Sequence, residues 1–239
     1  MSATGRDVAV IERSLGSRVR YRIFGQAVPS LLYGFLGYLA ARSLASSIRG
    51  SHGHDVAYVI GHPVRIALYL LFCLIPIVLF LTRPVPKARE GALAARVAAF
   101  AGTVILIWAG AERGSAGRLI LSLPSWFTSG AAVVFAALTA LELYTLLCLR
   151  NSFSIIPEAR HLVTKGPYSV VRNPLYALEI AAAVTWTASE PRLLLFAALV
   201  PFVVLQLIRI RYEERLLRTA FPEYAGYFAR TRRLIPYVW

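Results

Sequence analysis

Six long blocks of apolar residues constrain the fold of this chain more than any other feature. A helix needs about 20 residues to cross the hydrocarbon core of a bilayer, and the first four blocks approach that length. The last two are shorter and separated by a turn at 189–191, so we expect a helical hairpin that crosses tilted or only partly. The sequence therefore predicts an all-α integral membrane protein with about six transmembrane helices, over Ile23–Ala41, Val64–Leu81, Leu93–Ala109, Ala131–Leu149, Leu175–Ala188 and Leu193–Ile208.

The net charge of +14 follows the same blocks. The basic residues lie at the block ends and not on a polar domain, so we expect no nucleic-acid partner. If the N-terminus is cytoplasmic and all six blocks cross, most of the 26 Lys and Arg fall on the cytoplasmic side. This distribution obeys the positive-inside rule and predicts that both termini are cytoplasmic. The small size and short loops favour the cytoplasmic (inner) membrane of a bacterium.

Two polar stretches, 150–174 and 209–239, bracket the short hairpin and lie on the predicted cytoplasmic side. Asn173 is a favoured N-cap residue, and Pro174 suits the first position of a helix. The free N–H groups of such a first turn attract anions, and the Arg172 side chain fits a carboxylate. The pattern suits an amino-acid-like cofactor, but it is equally typical of a capped helix whose arginine lies among lipid phosphates.

Several acidic residues occur in or next to the apolar blocks. Glu179 lies one turn beyond Tyr176 on the same helix face, and an unpaired acid there costs about 2–3 kcal/mol unless it faces a cavity. Glu142 in the fourth block is a further candidate site residue, although an arginine could pair with it. Glu213 and Glu214 point about 100° apart near the end of the last helix, where acids oppose the helix dipole. A cationic ligand or neighbouring arginines must compensate them.

Four pieces of the C-terminal half occur in an order typical of a known family. They are Leu-Val-Thr-Lys-Gly-Pro-Tyr at 162–168, Arg-Asn-Pro-Leu-Tyr at 172–176, Glu-Glu at 213–214, and Phe-Pro-Glu-Tyr-Ala-Gly-Tyr at 221–227 with Arg233 and Pro236. Over about 150–239 the chain resembles the isoprenylcysteine carboxyl methyltransferase and phospholipid methyltransferase superfamily. That family often has Arg-His-Pro at 172–174, so a role that needs a titrating imidazole does not transfer to this chain.

The resemblance implies a membrane-embedded methyltransferase that uses S-adenosylmethionine. It implies that residues 1–149 form transmembrane helices around a lipid-substrate entrance, and that 150–239 form the cytoplasmic cofactor-binding region. The acceptor would be lipid-like or isoprenoid, with a carboxylate, amine or hydroxyl group to be methylated. Catalytic candidates are Arg172, Glu179 and Glu214. The implied cofactor-binding residues are Leu162, Val163, Gly166, Pro167, Tyr168, Arg172, Asn173, Pro174, Tyr176, Glu213, Glu214, Tyr224, Tyr227 and Arg233.

Two other functions are compatible with the sequence. An NADPH-dependent sterol or steroid reductase has a similar C-terminal layout, and a transporter or scaffold would need no catalytic site. His52, His54 and Asp55 could bind a metal, but we expect a solvated loop there and no metal site. Cys73 and Cys148 lie inside apolar blocks, where cysteine usually acts as a small hydrophobic residue.

Overall fold

The computed structural model describes residues 8–10, 19, 21–49, 56–111 and 119–238, without the side chains of 8–10, 47, 48, 56–63, 65 and 111. The predicted metal-binding candidates His52, His54 and Asp55 therefore lie outside the described residues. All six apolar blocks are helical, which confirms their assignment as helices. Helix α1 spans Val28–Arg49 after a π-helical turn at Arg22–Ala27, α2 Val56–Thr82, α3 Leu93–Ala111, α4 Ser125–Leu149, α5 Pro174–Ser189, α6 Leu193–Ala220, and α7 Tyr224–Arg230.

Within the described part of the chain, four helical segments are long and apolar enough to cross a membrane. They are Arg22–Ser46, Leu93–Gly110, Ser125–Ser152 and Leu193–Ala220, in α1, α3, α4 and α6. The apolar segment Ile66–Thr82 of α2 is shorter, and α5 has 16 residues. The chain thus has the helices of an integral membrane protein. Whether α2 and α5 also cross, and on which side the termini lie, stay predictions.

The helices pack so that α5 lies between α4 and α6. Helix α3 packs against the other side of α6, while α2 packs against α1 and α4. Small residues permit a close approach on α3, where Ala95, Ala98, Ala99 and Ala109 are buried. These contacts join the predicted segments 1–149 and 150–239 in one helical assembly, and the division between them stays a prediction.

The all-α prediction needs one correction, because three short strands form an antiparallel sheet. Strand β1 (Val8–Val10) pairs with β2 (Ala88–Glu90), and β2 pairs with β3 (Glu158–Ala159). Each strand has only two or three residues, too few to show the alternating pattern by which a strand is recognised. The sheet joins the segment after α2 to the segment after α4.

A buried carboxylate anchors this sheet. Glu158 forms ion pairs with Arg83 at 3.4 Å, Arg89 at 3.1 Å and Arg160 at 2.5 Å. Arg83 also donates to the carbonyl oxygens of Gly25 and Phe153, and burial lowers the pKa of its guanidinium to about 10. The cluster holds three connecting segments together at the end of the bundle where α5 begins.

Candidate functional site

The two polar stretches that bracket the hairpin meet in the structure. The Arg172 amide donates to the Arg232 carbonyl oxygen at 2.7 Å, and the Asn173 amide donates to the Arg233 carbonyl oxygen at 3.1 Å. The C-terminal segment at 232–233 therefore runs beside residues 172–173, directly before α5, and accepts hydrogen bonds from their backbone amides. This contact brings the Arg-Asn-Pro-Leu-Tyr motif at 172–176 next to the C-terminal motif residue Arg233, although about 60 residues separate them.

Asn173 occupies the N-cap position of α5 and Pro174 the first helical position, as predicted. The Asn173 carbonyl accepts the first helical bond, from the Ala177 amide at 3.1 Å. Its side chain, however, does not cap the helix, which corrects the predicted use of the amide group. Its Nδ2 donates to Glu214 Oε1 at 3.0 Å and to the Arg233 carbonyl oxygen at 3.2 Å, so the side chain links α5 to α6 and to the C-terminal segment.

Glu214 is a buried carboxylate that the protein itself satisfies. Arg172 Nε donates to its Oε1 at 3.1 Å, and Arg233 Nη2 donates to its Oε2 at 3.0 Å. Of the two kinds of compensation that the sequence allowed for the adjacent acids, the neighbouring arginines provide it at Glu214. Glu213 points elsewhere, as the helical spacing predicts, and accepts a hydrogen bond from the Tyr176 hydroxyl at 2.8 Å.

Arg172 fixes the C-terminal segment through several contacts besides Glu214. Its Nη1 donates to the Phe228 carbonyl oxygen at 3.0 Å and to the Thr231 carbonyl oxygen. Its guanidinium also lies 3.9 Å from the centre of the Phe228 ring, a cation–π contact. Since Arg172 still lines a cavity, a contact with a bound carboxylate stays a prediction.

A small cavity of about 30 Å³, lined by polar and charged side chains, lies where α4 ends and α5 begins. Six of the predicted site residues line it: Tyr168, Arg172, Asn173, Tyr176, Glu179 and Glu213. The remaining lining residues are Leu149, Ser152, Phe153, Ser154, Leu175 and Arg209. Four charged side chains line this cavity, those of Arg172, Glu179, Arg209 and Glu213.

A second, largely apolar cavity of about 140 Å³ extends from it between the helices. The two cavities share Phe153, Glu179 and Arg209 as lining residues, so they adjoin at these side chains. The other lining residues of the apolar cavity are Tyr33, Leu36, Tyr69, Phe72, Cys73, Gly102, Thr103, Leu106, Ile107, Phe135, Thr139, Glu142, Ala182, Ala183, Trp186, Phe202 and Gln206.

The junction between the two cavities includes residues that the sequence reasoning missed. Arg209 Nη1 donates to Gln206 Oε1 at 2.7 Å, and Gln206 Nε2 donates to Glu179 Oε2. Gln206 gave a usable signal, since an amide inside an apolar helix marks a functional position by default. Arg209 follows it by three residues on the same helix face. Phe153 gave no such signal, because its position depends on the loop after α4.

The other predicted site residues form a packed support beside the polar cavity. The Tyr227 hydroxyl donates to the Tyr168 carbonyl oxygen at 2.6 Å, and burial raises the pKa of Tyr227 to about 12. Tyr224 packs against Tyr227 with ring centres 5.8 Å apart, and Leu162 packs against the hydrophobic cluster that contains both. Gly166, at φ +64°, begins the tight turn with Pro167 that presents Tyr168 to the cavity. Val163, Pro174, Glu214 and Arg233 are likewise outside the cavity lining.

Metal-ligating side chains do not gather in the described ranges: no group of three or more His, Cys, Asp or Glu occurs there. Cys73 is buried and Cys148 is half-buried, each as a free thiol. The imidazole of His62 is among the side chains that the structure does not describe.

The fold and site define a helical membrane protein in which a cavity lined by charged side chains adjoins an apolar cavity between the helices. Residues 121–224 match the family model described as phospholipid methyltransferase, a family of methyltransferases. This match confirms the resemblance to the isoprenylcysteine and phospholipid methyltransferase superfamily. The matched region contains α4, α5 and α6, which supply half of the lining residues of each cavity.

Two curated proteins are also similar to part of the chain. The cobalt-zinc-cadmium resistance protein CzcN of Cupriavidus metallidurans is 40% identical over 76 residues, which are 31% of this chain and 35% of that protein. The nickel-cobalt-cadmium resistance protein NccN of Alcaligenes xylosoxydans xylosoxydans is 36% identical over 80 residues, 33% of this chain and 38% of that protein. Each match thus spans little more than a third of the relative's length.

Proposed function

We propose that this chain is a membrane-embedded methyltransferase that moves a methyl group from S-adenosylmethionine to a lipid-like or isoprenoid acceptor. The observation that supports this most is the pair of adjoining cavities, one lined by charged and polar side chains, the other apolar and within the helices. Such a pair brings charged groups next to an apolar lining, as a reaction between a charged, water-soluble donor and a lipid acceptor requires. The phospholipid methyltransferase match over the same helices supports the reaction type.

The residues of the polar cavity fit the charges of S-adenosylmethionine. The cofactor has a sulfonium and an ammonium group, and Glu179 and Glu213 are two acids that line this cavity. Arg172 is already bound to Glu214, so Arg209 is the remaining cation of the lining. We expect Tyr168, Asn173, Tyr176 and Glu213 to hold the cofactor.

Bound S-adenosylmethionine would supply an electrophilic methyl group. The task of the protein is then to align the acceptor atom and to exclude water. Phe153 forms part of the wall between the two cavities, and Glu179 lies at the same junction. A carboxylate acceptor needs no base, whereas an amine or hydroxyl acceptor must lose a proton. Glu179 suits that role better than Glu214, whose carboxylate already accepts hydrogen bonds from two arginines.

The acceptor enters from the bilayer in this proposal. The apolar cavity is lined mainly by aliphatic and aromatic side chains, which suit a hydrocarbon tail. We place the enzyme in the cytoplasmic membrane of a bacterium with both termini in the cytoplasm, since the positive-inside rule favours that orientation. The polar cavity would then face the cytoplasm, where the cofactor is made.

The reductase alternative fits this cavity less well. NADPH has an additional phosphate, which calls for basic side chains. The arginines of this cavity, Arg172 and Arg209, already donate to Glu214 and Gln206, and the acids Glu179 and Glu213 line the same cavity. A transporter or scaffold would leave these buried charges without a role, at a cost in stability.

Methyl transfer can be tested with the purified protein in nanodiscs made from a bacterial lipid extract. We expect label from methyl-labelled S-adenosylmethionine to appear in the lipid fraction, and to fall at least tenfold in Glu213→Gln. The exposed Glu223→Gln variant serves as the matched control and should retain the wild-type rate. Absence of labelled lipid with a folded wild-type protein, together with NADPH oxidation, would favour the reductase.

A further inference from the structure

Glu142 lies deep in the bundle, at the same level as the junction of the two cavities. Helix α4 ends at Leu149 and α5 begins at Pro174, on the same side of the bundle. Glu142 is roughly two turns before the end of α4, about 10 Å along its axis. Glu179 is between one and two turns after the start of α5, about 8 Å along its axis. The two acids line the apolar cavity from neighbouring helices.

Glu142 differs from the other acids of this site in its hydrogen bonding. It is 5% exposed, and its Oε1 has no hydrogen-bond partner among the described residues. Glu179 accepts from Gln206, and Glu213 accepts from Tyr176. Thr139, one turn before Glu142, donates to the backbone of its own helix. A buried carboxyl group without a partner is costly, so a polar group of a ligand is the natural missing partner.

The surrounding charges select the kind of group that can bind there. Arg209, the cation in the described lining of this cavity, donates from its two terminal nitrogens to Gln206 Oε1 and to the Ile155 carbonyl oxygen. Glu179 is within electrostatic reach of Glu142, so an acceptor carboxylate would meet two acids. A head group with an N–H or O–H donor instead satisfies Glu142 directly.

We propose that Glu142 receives the polar head of the acceptor, and that the methylated atom is a nitrogen or oxygen that bears hydrogen. This inference rests on the proposed function for the reaction itself. For an amine, Glu142 and not Glu179, which already accepts a hydrogen bond from Gln206, removes one proton from the ammonium group, and the freed lone pair forms a bond to the methyl carbon. The carbon–sulfur bond of the donor breaks, and its electron pair stays on sulfur. The product is a methylated ammonium, a protonated Glu142 and a neutral thioether.

Binding of single-chain probes tests the proposal without any turnover. Hexadecylamine, hexadecanol and hexadecanoate share one tail and differ in the head group. Trp186 lines the same cavity, so its fluorescence reports occupancy, with Trp186→Phe identifying its contribution. We expect wild-type protein in nanodiscs to bind the amine or the alcohol at least tenfold more tightly than the carboxylate. Glu142→Gln should lose at least tenfold of that affinity, Glu142→Asp should retain most of it, and the exposed Glu223→Gln should change nothing.

The same variants separate this inference from the proposed function. Calorimetric binding of S-adenosylmethionine should be unchanged in Glu142→Gln, because this residue lines only the apolar cavity. The role of Glu142 is overturned if the wild type binds hexadecanoate as tightly as hexadecylamine, or if it binds neither hexadecylamine nor hexadecanol. It is also overturned by undiminished binding of the amine by Glu142→Gln. A wild-type protein that does not bind S-adenosylmethionine but still prefers the amine or the alcohol to the carboxylate would refute the methyltransferase proposal. The assignment of Glu142 as a head-group site would then remain valid.

Discussion

The contact between Arg172 and the C-terminal segment predicts a large local effect of Arg172→Ala. The Arg172 and Glu214 side chains are only 8% and 4% exposed, so water screens their ion pair little. Breaking one partner of a buried pair costs about 3–5 kcal/mol. Because Arg233 and Asn173 still donate to Glu214, we expect the lower end, about 3 kcal/mol, including two lost hydrogen bonds to main-chain carbonyls.

Hydrogen exchange in nanodiscs measures this effect directly. A loss of about 3 kcal/mol should speed exchange about a hundredfold in α7 and the segment after it, while α3 and α4 stay protected. The matched control is Arg192→Ala, whose ion pair with Glu190 is more exposed and should be worth at most about 1 kcal/mol. Unchanged protection of α7 in Arg172→Ala would refute the reasoning that this arginine holds the C-terminal segment in place.

Three smaller predictions concern the frame of the site. Gly166→Ala should destabilise the protein by about 1–2 kcal/mol in thermal unfolding, since the residue has φ +64°. The control Gly226→Ala should cause no such destabilisation, because its added methyl group meets no neighbour. In Gly110→Ala the added methyl group overlaps the Trp186 ring, so the fluorescence spectrum of that tryptophan should shift, and an unshifted spectrum would contradict the packing. Tyr227→Phe should cost about 1 kcal/mol and remove one tyrosine that resists ionisation up to about pH 12 in absorbance titrations.

The helices were predictable because apolar blocks determine them almost alone. Each predicted block falls inside an observed helix, and the observed helices extend beyond several block ends. Helix α6 continues through Ala220, past the predicted end at Ile208, because its last turns bury Glu214 and Leu216 against the C-terminal segment. Hydropathy alone gives no signal for such a polar extension.

The individual contacts of the site were less predictable than its location. A hairpin returns the chain to the side it left, so the sequence predicts that the stretches around Arg172 and Glu214 meet. It does not predict that these two side chains bind each other, since each also suits an external ligand. The same applies to Asn173, whose side chain could cap α5 or reach Glu214 with equal local geometry. Tertiary proximity decided both cases.

The small sheet and the residues of the cavity junction show a second limit. Strand β3 has two residues, and it exists only because β2 lies beside it. Phe153 contributes to both cavities from a loop whose path no periodicity predicts. Gln206, in contrast, was recognisable in principle as an amide within an apolar helix.

The central claim is that the polar cavity binds S-adenosylmethionine, and titration calorimetry on the purified protein tests it most directly. We predict that wild type and Glu223→Gln bind with a dissociation constant in the micromolar range. Glu213→Gln should bind at least tenfold more weakly, because it removes one of the two acids that line the cavity. A folded wild-type protein that does not bind S-adenosylmethionine, or a Glu213→Gln variant that binds it as tightly as wild type, would contradict the account.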